Sequence, residues 1–384
     1  MDKKILFVVD EMNFGGVSVV LRDVLENIQK ENYQIDLLVL HKHGEMLCVV
    51  PKDISIIEGS SFFSVIDEKF SALKQKKQYV KCLKKIWLAF LMKTKLIKYI
   101  IPYERKKILK DEYDIEIAFK DGFCTIFTCF GSSKKKIAWV HNDYKIFNGA
   151  ARYNELMSKS FEGMDTIVAV SQHASDMLKE VFNISKNLTV ISNPLNEKNI
   201  MRLSTEFSPN YEDKSLNFVS IGRICHQKAY DRLIKIHKQL LDEGYLHRIY
   251  IVGDGEDSKD LKEMISNLQV EKSFVLVGYQ KNPYPYIAAA DGYILSSRHE
   301  GYGLVVTEAF ILHVPVISTD VADVRERMNN EKYGMTVENS YDGLLVAMRE
   351  VITHSQKLQQ YKNNLSTYHF NSESIYSQIN NLLE

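Results

Sequence analysis

Twelve short apolar runs rich in β-branched residues alternate along the chain with stretches of helical periodicity, and few architectures accept that alternation. The first half offers 5–9, 35–40, 54–57, 115–119, 137–140, 167–170 and 188–191; the second offers 218–221, 249–252, 274–277, 293–295 and 314–318. Runs that are apolar almost without interruption are strands buried on both faces, so the sheets must be parallel and sandwiched between crossover helices. With 384 residues the chain is long enough for two such domains. The polar stretch 193–215, which holds two of the seven prolines, reads as the linker. The expected fold is therefore α/β, with two doubly wound Rossmann-like domains facing a central cleft. Residues 1–195 form the first, 196–370 the second, and 371–384 a last helix. Ligands of such sheets sit at the carboxyl ends of the strands.

Lys+Arg and Asp+Glu balance at 49 each, which argues against nucleic acid as a partner. Five scattered cysteines without a CxxC spacing suit reduced thiols in the cytoplasm. The opening run KKILFVVD is too short for a signal peptide, and no apolar run reaches the ~20 residues that span a bilayer. One segment stands apart. From Lys74 through Lys110 there are thirteen basic residues against one acid, Glu104, while Leu73, Val80, Leu83, Trp87, Phe90, Leu91, Ile97 and Ile101 recur at helical spacing. Residues 72–110 thus read as a basic amphipathic helix. It either packs its stripe on the first domain with its lysines solvated, or lies on an anionic membrane surface.

The run 296–324, SSRHEGYGLVVTEAFILHVPVISTDVADV, follows the strand GYILSS and places Glu300 and Glu308 eight positions apart at the mouth of a helix that Gly301 and Gly303 open. With Glu300 at the loop tip, Glu308 lies two turns deeper on the same side, so an extended ligand such as a sugar reaches both. NFVSIGRICHQKAYD puts Arg223 and Lys228 above a strand end, an arrangement that suits a diphosphate, although a solvated pair remains an alternative. Gly253 and Gly255 could be mistaken for a dinucleotide fingerprint, but Ser258 stands at the third glycine, and a tight turn is the simpler reading. In the first half, Gly15 and Gly16 sit between a strand and a helix, where backbone can approach a ligand closely. His141, Asn142 and Asp143 follow the strand ending WV; His141 either points into the cleft or is satisfied by local backbone. No two aspartates flank a single residue, so no metal is expected against a diphosphate. No GxxxxGK[ST] loop or GxSxG elbow is present either.

Taken in order, GG near the N-terminus, HND, GRxxxQKxxD, VGDGxxxxxL and ExxxxxxxE resemble the retaining family 4 glycosyltransferases of GT-B fold, over nearly the whole chain and most specifically in the second domain. The resemblance implies that Arg223 and Lys228 hold the diphosphate of a nucleotide sugar, with a UDP-sugar as the expected donor. Glu308 then binds the ribose and Glu300 the donor sugar, with Gly301, Tyr302, Gly303 and Leu304 offering backbone. It also implies that Gly278 and Tyr279 line the base pocket, that His141 meets the sugar near its C6 hydroxyl, and that Gly15 and Gly16 approach the diphosphate and acceptor. Ser18 stands where many relatives carry an acid, which leaves the acceptor contacts of that loop open. The activity implied is transfer with retention, without cofactor or metal, to a glycan or lipid-linked acceptor in cell-surface polysaccharide or glycolipid synthesis. With the basic segment 72–110 on an anionic membrane surface, the expected place is cytoplasmic, peripheral on the inner face of the plasma membrane. A soluble or protein acceptor, or a non-catalytic nucleotide-sugar-binding subunit, is the alternative.

Overall fold

A computed structural model describes residues 3–13, 15–29, 33–66, 68, 70–142, 144, 154–211 and 215–384, without the side chains of 71, 72, 75 and 154; Asp143 of the HND run lies outside the described residues, as do 212–214 of the linker. The chain divides into two units, Met1–Pro194 with Glu373–Glu384, and Leu195–Ser372.

The first unit is built on seven strands: β1 (Lys3–Val9), β2 (Tyr33–Val39), β3 (Ser55–Glu58), β4 (Ile115–Ala118), β5 (Lys135–Val140), β6 (Thr166–Ala169) and β7 (Leu188–Val190). All pair in parallel in the order β3-β2-β1-β4-β5-β6-β7. The second unit has six: β8 (Leu216–Ile221), β9 (His247–Val252), β10 (Phe274–Gly278), β11 (Gly292–Leu295), β12 (Val316–Thr319) and β13 (Gly334–Val337), in the order β10-β9-β8-β11-β12-β13. In β1, Ile5, Leu6, Phe7 and Val8 are consecutive and fully buried, which only a sheet covered on both faces allows. Each sheet reverses its winding once, between β1 and β4 and between β8 and β11. At such a switch point the loops leaving the two strands part and open a crevice.

The sequence reading missed β13, and its first residue shows why. A Cβ on Gly334 would lie 2.0 Å from the Val316 carbonyl oxygen, so this edge strand needs glycine at a position where glycine weakens the strand signal. The basic segment is likewise not one helix. It forms three, Phe70–Gln75, Tyr79–Lys93 and Ile97–Ile108, separated where Lys77 and Lys95 take left-handed φ of 55° and 62°. Its apolar residues divide: Leu73, Leu91, Ile97 and Ile101 are buried, whereas Val80, Leu83, Trp87 and Phe90 face solvent.

The last helix, Ser372–Leu383, buries Ile375, Ile379 and Leu383 in the first unit. Lys3 Nζ donates to the Glu384 carbonyl at 2.7 Å, and Asn380 Oδ1 accepts from the Gln29 amide at 3.1 Å.

Candidate active site

In the second unit the two loops at the switch point hold the chemistry. Leaving β8, the chain runs through Gly222, Arg223 and Lys228 into the helix Tyr230–Asp242; leaving β11, it runs through Ser296–Gly303 into the helix Leu304–Ile311. The loops are laced to each other. The Arg298 amide donates to the Gln227 carbonyl at 2.8 Å, Gln227 Nε2 to the His299 carbonyl at 3.0 Å, and Ser296 Oγ to the Lys228 carbonyl at 2.7 Å. The Arg298 guanidinium grips both Asp231 oxygens, at 2.9 and 2.7 Å, and so fastens the second loop to the first turn of the helix behind the first. Tyr293 ties the end of β8: its hydroxyl accepts from the Ile221 amide at 3.0 Å and donates to the Ile221 carbonyl at 3.1 Å.

At the centre, Lys228 Nζ lies 2.7 Å from Glu300 Oε1, and Ser297 Oγ donates to the same oxygen at 2.6 Å. Both charged side chains are largely buried. Burial would lower the Lys228 pKa, but the Glu300 carboxylate outweighs it and the net shift is upward, so the ammonium stays charged. Oε2 of Glu300 has no partner among the described residues, which leaves it open to a hydroxyl donor. Arg223 is exposed and free of described partners at the rim.

Beyond Glu300 the loop turns on Gly303, whose φ of 70° caps the helix Leu304–Ile311. Glu308, buried in the second turn, accepts from the Tyr284 hydroxyl at 3.3 Å. Arg327 secures this turn from the next helix. It donates to the carbonyls of Tyr302 and Gly303, the latter at 3.1 Å, and to Thr307 Oγ1 at 3.2 Å, with its guanidinium 4.5 Å from the centre of the Tyr302 ring. Gly278, φ 83°, ends β10 and accepts from the Gly253 amide at 2.9 Å, with Tyr279 exposed next to it. The Gly253 and Gly255 pair is a close backbone crossing: Cβ atoms there would lie 2.0 Å from the Gly222 oxygen and 2.2 Å from the Ile224 oxygen.

The first unit presents its own set at its switch point. Gly15 and Gly16 open the helix Gly16–Asn27 and, with Glu11, Asn13, Ser18 and Lys120, line a cavity of about 150 Å³. Lys120, from the loop after β4, pairs with Asp10 at 2.5 Å. His141, after β5, is buried, and its Nε2 lies 3.0 Å from the Phe119 carbonyl, the local backbone partner considered from sequence; burial lowers its pKa to about 4. Next to it Asn142 Nδ2 donates to Asp121 Oδ1 at 2.8 Å, and burial raises the Asp121 pKa to about 6. Among the described residues no three His, Cys, Asp or Glu side chains gather so as to hold a metal ion.

Residues 202–367, almost all of the second unit, match the model of the glycosyl transferases group 1 family. The second unit is a glycosyl transferases group 1 domain. The chain is 29% identical over 198 residues to an uncharacterized glycosyltransferase of Methanocaldococcus jannaschii, covering 49% of each protein. It is 26% identical over 215 residues to the N-acetylgalactosamine-N,N'-diacetylbacillosaminyl-diphospho-undecaprenol 4-alpha-N-acetylgalactosaminyltransferase of Campylobacter jejuni, covering 55% of this chain and 57% of that one. The match thus spans about half the length of these curated relatives. The fold is GT-B: Anabaena HepE, solved with UDP and glucose, is similar over 99% of both chains with a TM-score of 0.74 at 17% identity.

Within the group 1 domain the structure brings Lys228, Glu300 and the Gly301–Leu304 turn together and sets Glu308 behind them. Sequence reasoning passed over Ser297, Tyr284 and Arg327. Ser297 stands three residues before Glu300 in the quoted motif and could have been found there. Arg327 comes from a helix beyond β12, and nothing in a one-dimensional spacing links it to Tyr302.

Proposed function

We propose that this chain is a retaining glycosyltransferase that moves a sugar from a UDP-sugar to a lipid-linked glycan acceptor at the cytosolic face of a membrane, in cell-surface polysaccharide or glycolipid synthesis. The observation that carries the transferase reading is the Lys228–Glu300–Ser297 cluster at the switch point of the group 1 domain. Glycosyl transfer builds positive charge on the anomeric carbon and negative charge on the departing diphosphate. Arg223 and Lys228, with the free amides of the helix Leu304–Ile311, supply the countercharge to the phosphates without a metal. Glu300 spends one oxygen on Lys228 and Ser297 and offers Oε2 to a sugar hydroxyl; Glu308 offers its carboxylate to the ribose. The bond from the anomeric carbon to the diphosphate oxygen breaks as the acceptor oxygen attacks the same face, and the acceptor proton passes to a leaving phosphate oxygen. His141, neutral because it is buried, donates its Nε2–H to the Phe119 carbonyl and so keeps Nδ1 as an acceptor for a hydroxyl, without adding charge. The lipid-linked acceptor is supported by the Campylobacter relative, whose name specifies a diphospho-undecaprenol substrate.

Glu300→Gln keeps the size of the side chain and removes its charge. A panel of nucleotide sugars read by thermal shift identifies the donor, and the variant should still bind it. Transfer of the sugar to acceptor should then fall by about a hundredfold or more. Undiminished transfer by a variant that binds donor normally would sink this assignment.

A further inference from the structure

The helix Tyr79–Lys93 is amphipathic the wrong way round for a soluble protein. At 100° per residue, Tyr79, Val80, Leu83, Ile86, Trp87 and Phe90 fall within an arc of about 120°. That arc faces out: Val80 is 74% exposed, Leu83 68%, Trp87 53% and Phe90 48%. Trp87 and Phe90 stack on each other with ring centres 5.4 Å apart. Three of the four lysines of the same helix turn away from the stripe and engage the preceding loop instead. Lys81 pairs with Glu68 at 2.8 Å, Lys84 donates to the Ser61 carbonyl at 3.1 Å, and Lys85 to the carbonyls of Val65 and Ile66 at 3.0 Å each. A soluble helix gains by the opposite arrangement, and a contiguous outward apolar stripe marks a surface that is covered in use.

Its surroundings say by what. Lys93 ends the helix beside the stripe, and the neighbouring helix Ile97–Ile108 exposes Tyr99, Tyr103, Lys98, Lys106 and Lys107, with Lys98 and Lys107 each over a tyrosine ring. The only acid from Lys74 through Lys110, Glu104, is buried and pairs with Lys107 at 2.7 Å, so Lys93, Lys98 and Lys106 carry the uncompensated charge of this surface. A second copy of this chain docked face to face would set these cations against each other, whereas an anionic bilayer offers hydrocarbon for the stripe and phosphates for the lysines. We propose that the helix Tyr79–Lys93 lies in the plane of an anionic membrane surface, its Val80–Leu83–Trp87–Phe90 stripe inserted and the exposed lysines around it on lipid headgroups. This deepens the membrane-facing part of the proposed function, on which it rests, and reassigns the contact from the lysines of this helix to its apolar residues.

The chain has two tryptophans, exposed Trp87 and fully buried Trp139, so an emission change on binding reports Trp87. Titration with vesicles of phosphatidylcholine and phosphatidylglycerol should shift the emission to the blue and carry the full-length protein upward in flotation; phosphatidylcholine alone should do so weakly. Leu83→Glu, on a fully outward side chain, should lower vesicle affinity at least about tenfold while leaving the circular dichroism unchanged. Equal flotation of Leu83→Glu and the parent would overturn the inference. So would a parent dimer in size exclusion that Leu83→Glu dissociates and that does not float. Flotation reads the docking alone: if the protein floats but transfers sugar from no donor, the proposed activity fails and the docking stands.

Discussion

A buried pair of histidines makes the group 1 domain acid-sensitive by an amount that can be worked out. His247 Nδ1 lies 2.9 Å from the Tyr245 carbonyl, which only accepts, so Nδ1 carries the proton and Nε2 the lone pair. His237 Nδ1, 2.8 Å from that Nε2, must donate to it, and His237 Nε2 then accepts from Ser273 Oγ at 2.9 Å. A second proton on His247, at Nε2, would face the Nδ1–H of His237 and break this chain of bonds. Burial lowers both pKa values, that of His247 from 6.5 to about 4. The folded state therefore prefers the neutral rings, and the stability they contribute is whole above the unfolded pKa of 6.5 and is lost as pH falls from there toward about 4. At about pH 5, His247 alone costs about 2 kcal/mol, a shortfall of about 1.5 pH units at about 1.4 kcal/mol each, and His237 adds in the same direction. In the first unit His141 shifts the same way, but Asp121, its pKa raised to about 6, gains stability as pH falls below that value and offsets much of it. Both tryptophans belong to the first unit, so urea unfolding followed by fluorescence reports that unit, while circular dichroism reports both. Between pH 7 and pH 5 the dichroism midpoint should fall well below the fluorescence midpoint. A His237→Gln, His247→Gln double variant that loses as much stability at pH 5 as the parent would refute the reasoning.

Two substitutions test how the loops are held. Gly253→Ala places a methyl group 2.0 Å from the Gly222 oxygen at φ 148°, and should cost at least about 3 kcal/mol in urea unfolding of the second unit; a cost near zero would mean that the crossing yields. Arg327→Met removes the clamp on Tyr302, Gly303 and Thr307, and should lower kcat/KM for transfer about tenfold or more while the fold is retained; Arg327→Lys, which offers one donor centre in place of a fork, should recover only part of it. Unchanged kcat/KM in Arg327→Met would reduce the residue to packing.

Much of the architecture is legible before any coordinate is seen, because parallel strands buried on both faces leave long apolar signatures, as in β1 and β11. The failures have local causes. β13 hides behind a glycine that the neighbouring backbone requires. The basic segment shows one apolar periodicity across three helices, since periodicity records which residues share a face and not whether that face turns inward. For the site, GRxxxQKxxD and ExxxxxxxE mark the two loops of the second unit, yet the 2.7 Å contact of Lys228 with Glu300 follows from β8 and β11 being neighbours, which is a property of strand order. Ser297, Tyr284 and Arg327 escaped because each acts on a residue already chosen and carries no motif of its own.

The first unit is assembled from both ends of the chain, with the second inserted between Pro194 and Glu373. During synthesis the second unit emerges as one uninterrupted segment and can fold as soon as it is clear of the ribosome. The first unit has to wait with the docking site for Ile375, Ile379 and Leu383 open until the last turns of the helix Ser372–Leu383 are made. An unfinished chain therefore exposes apolar surface in its earlier-made half, and it is there that a chaperone would find it.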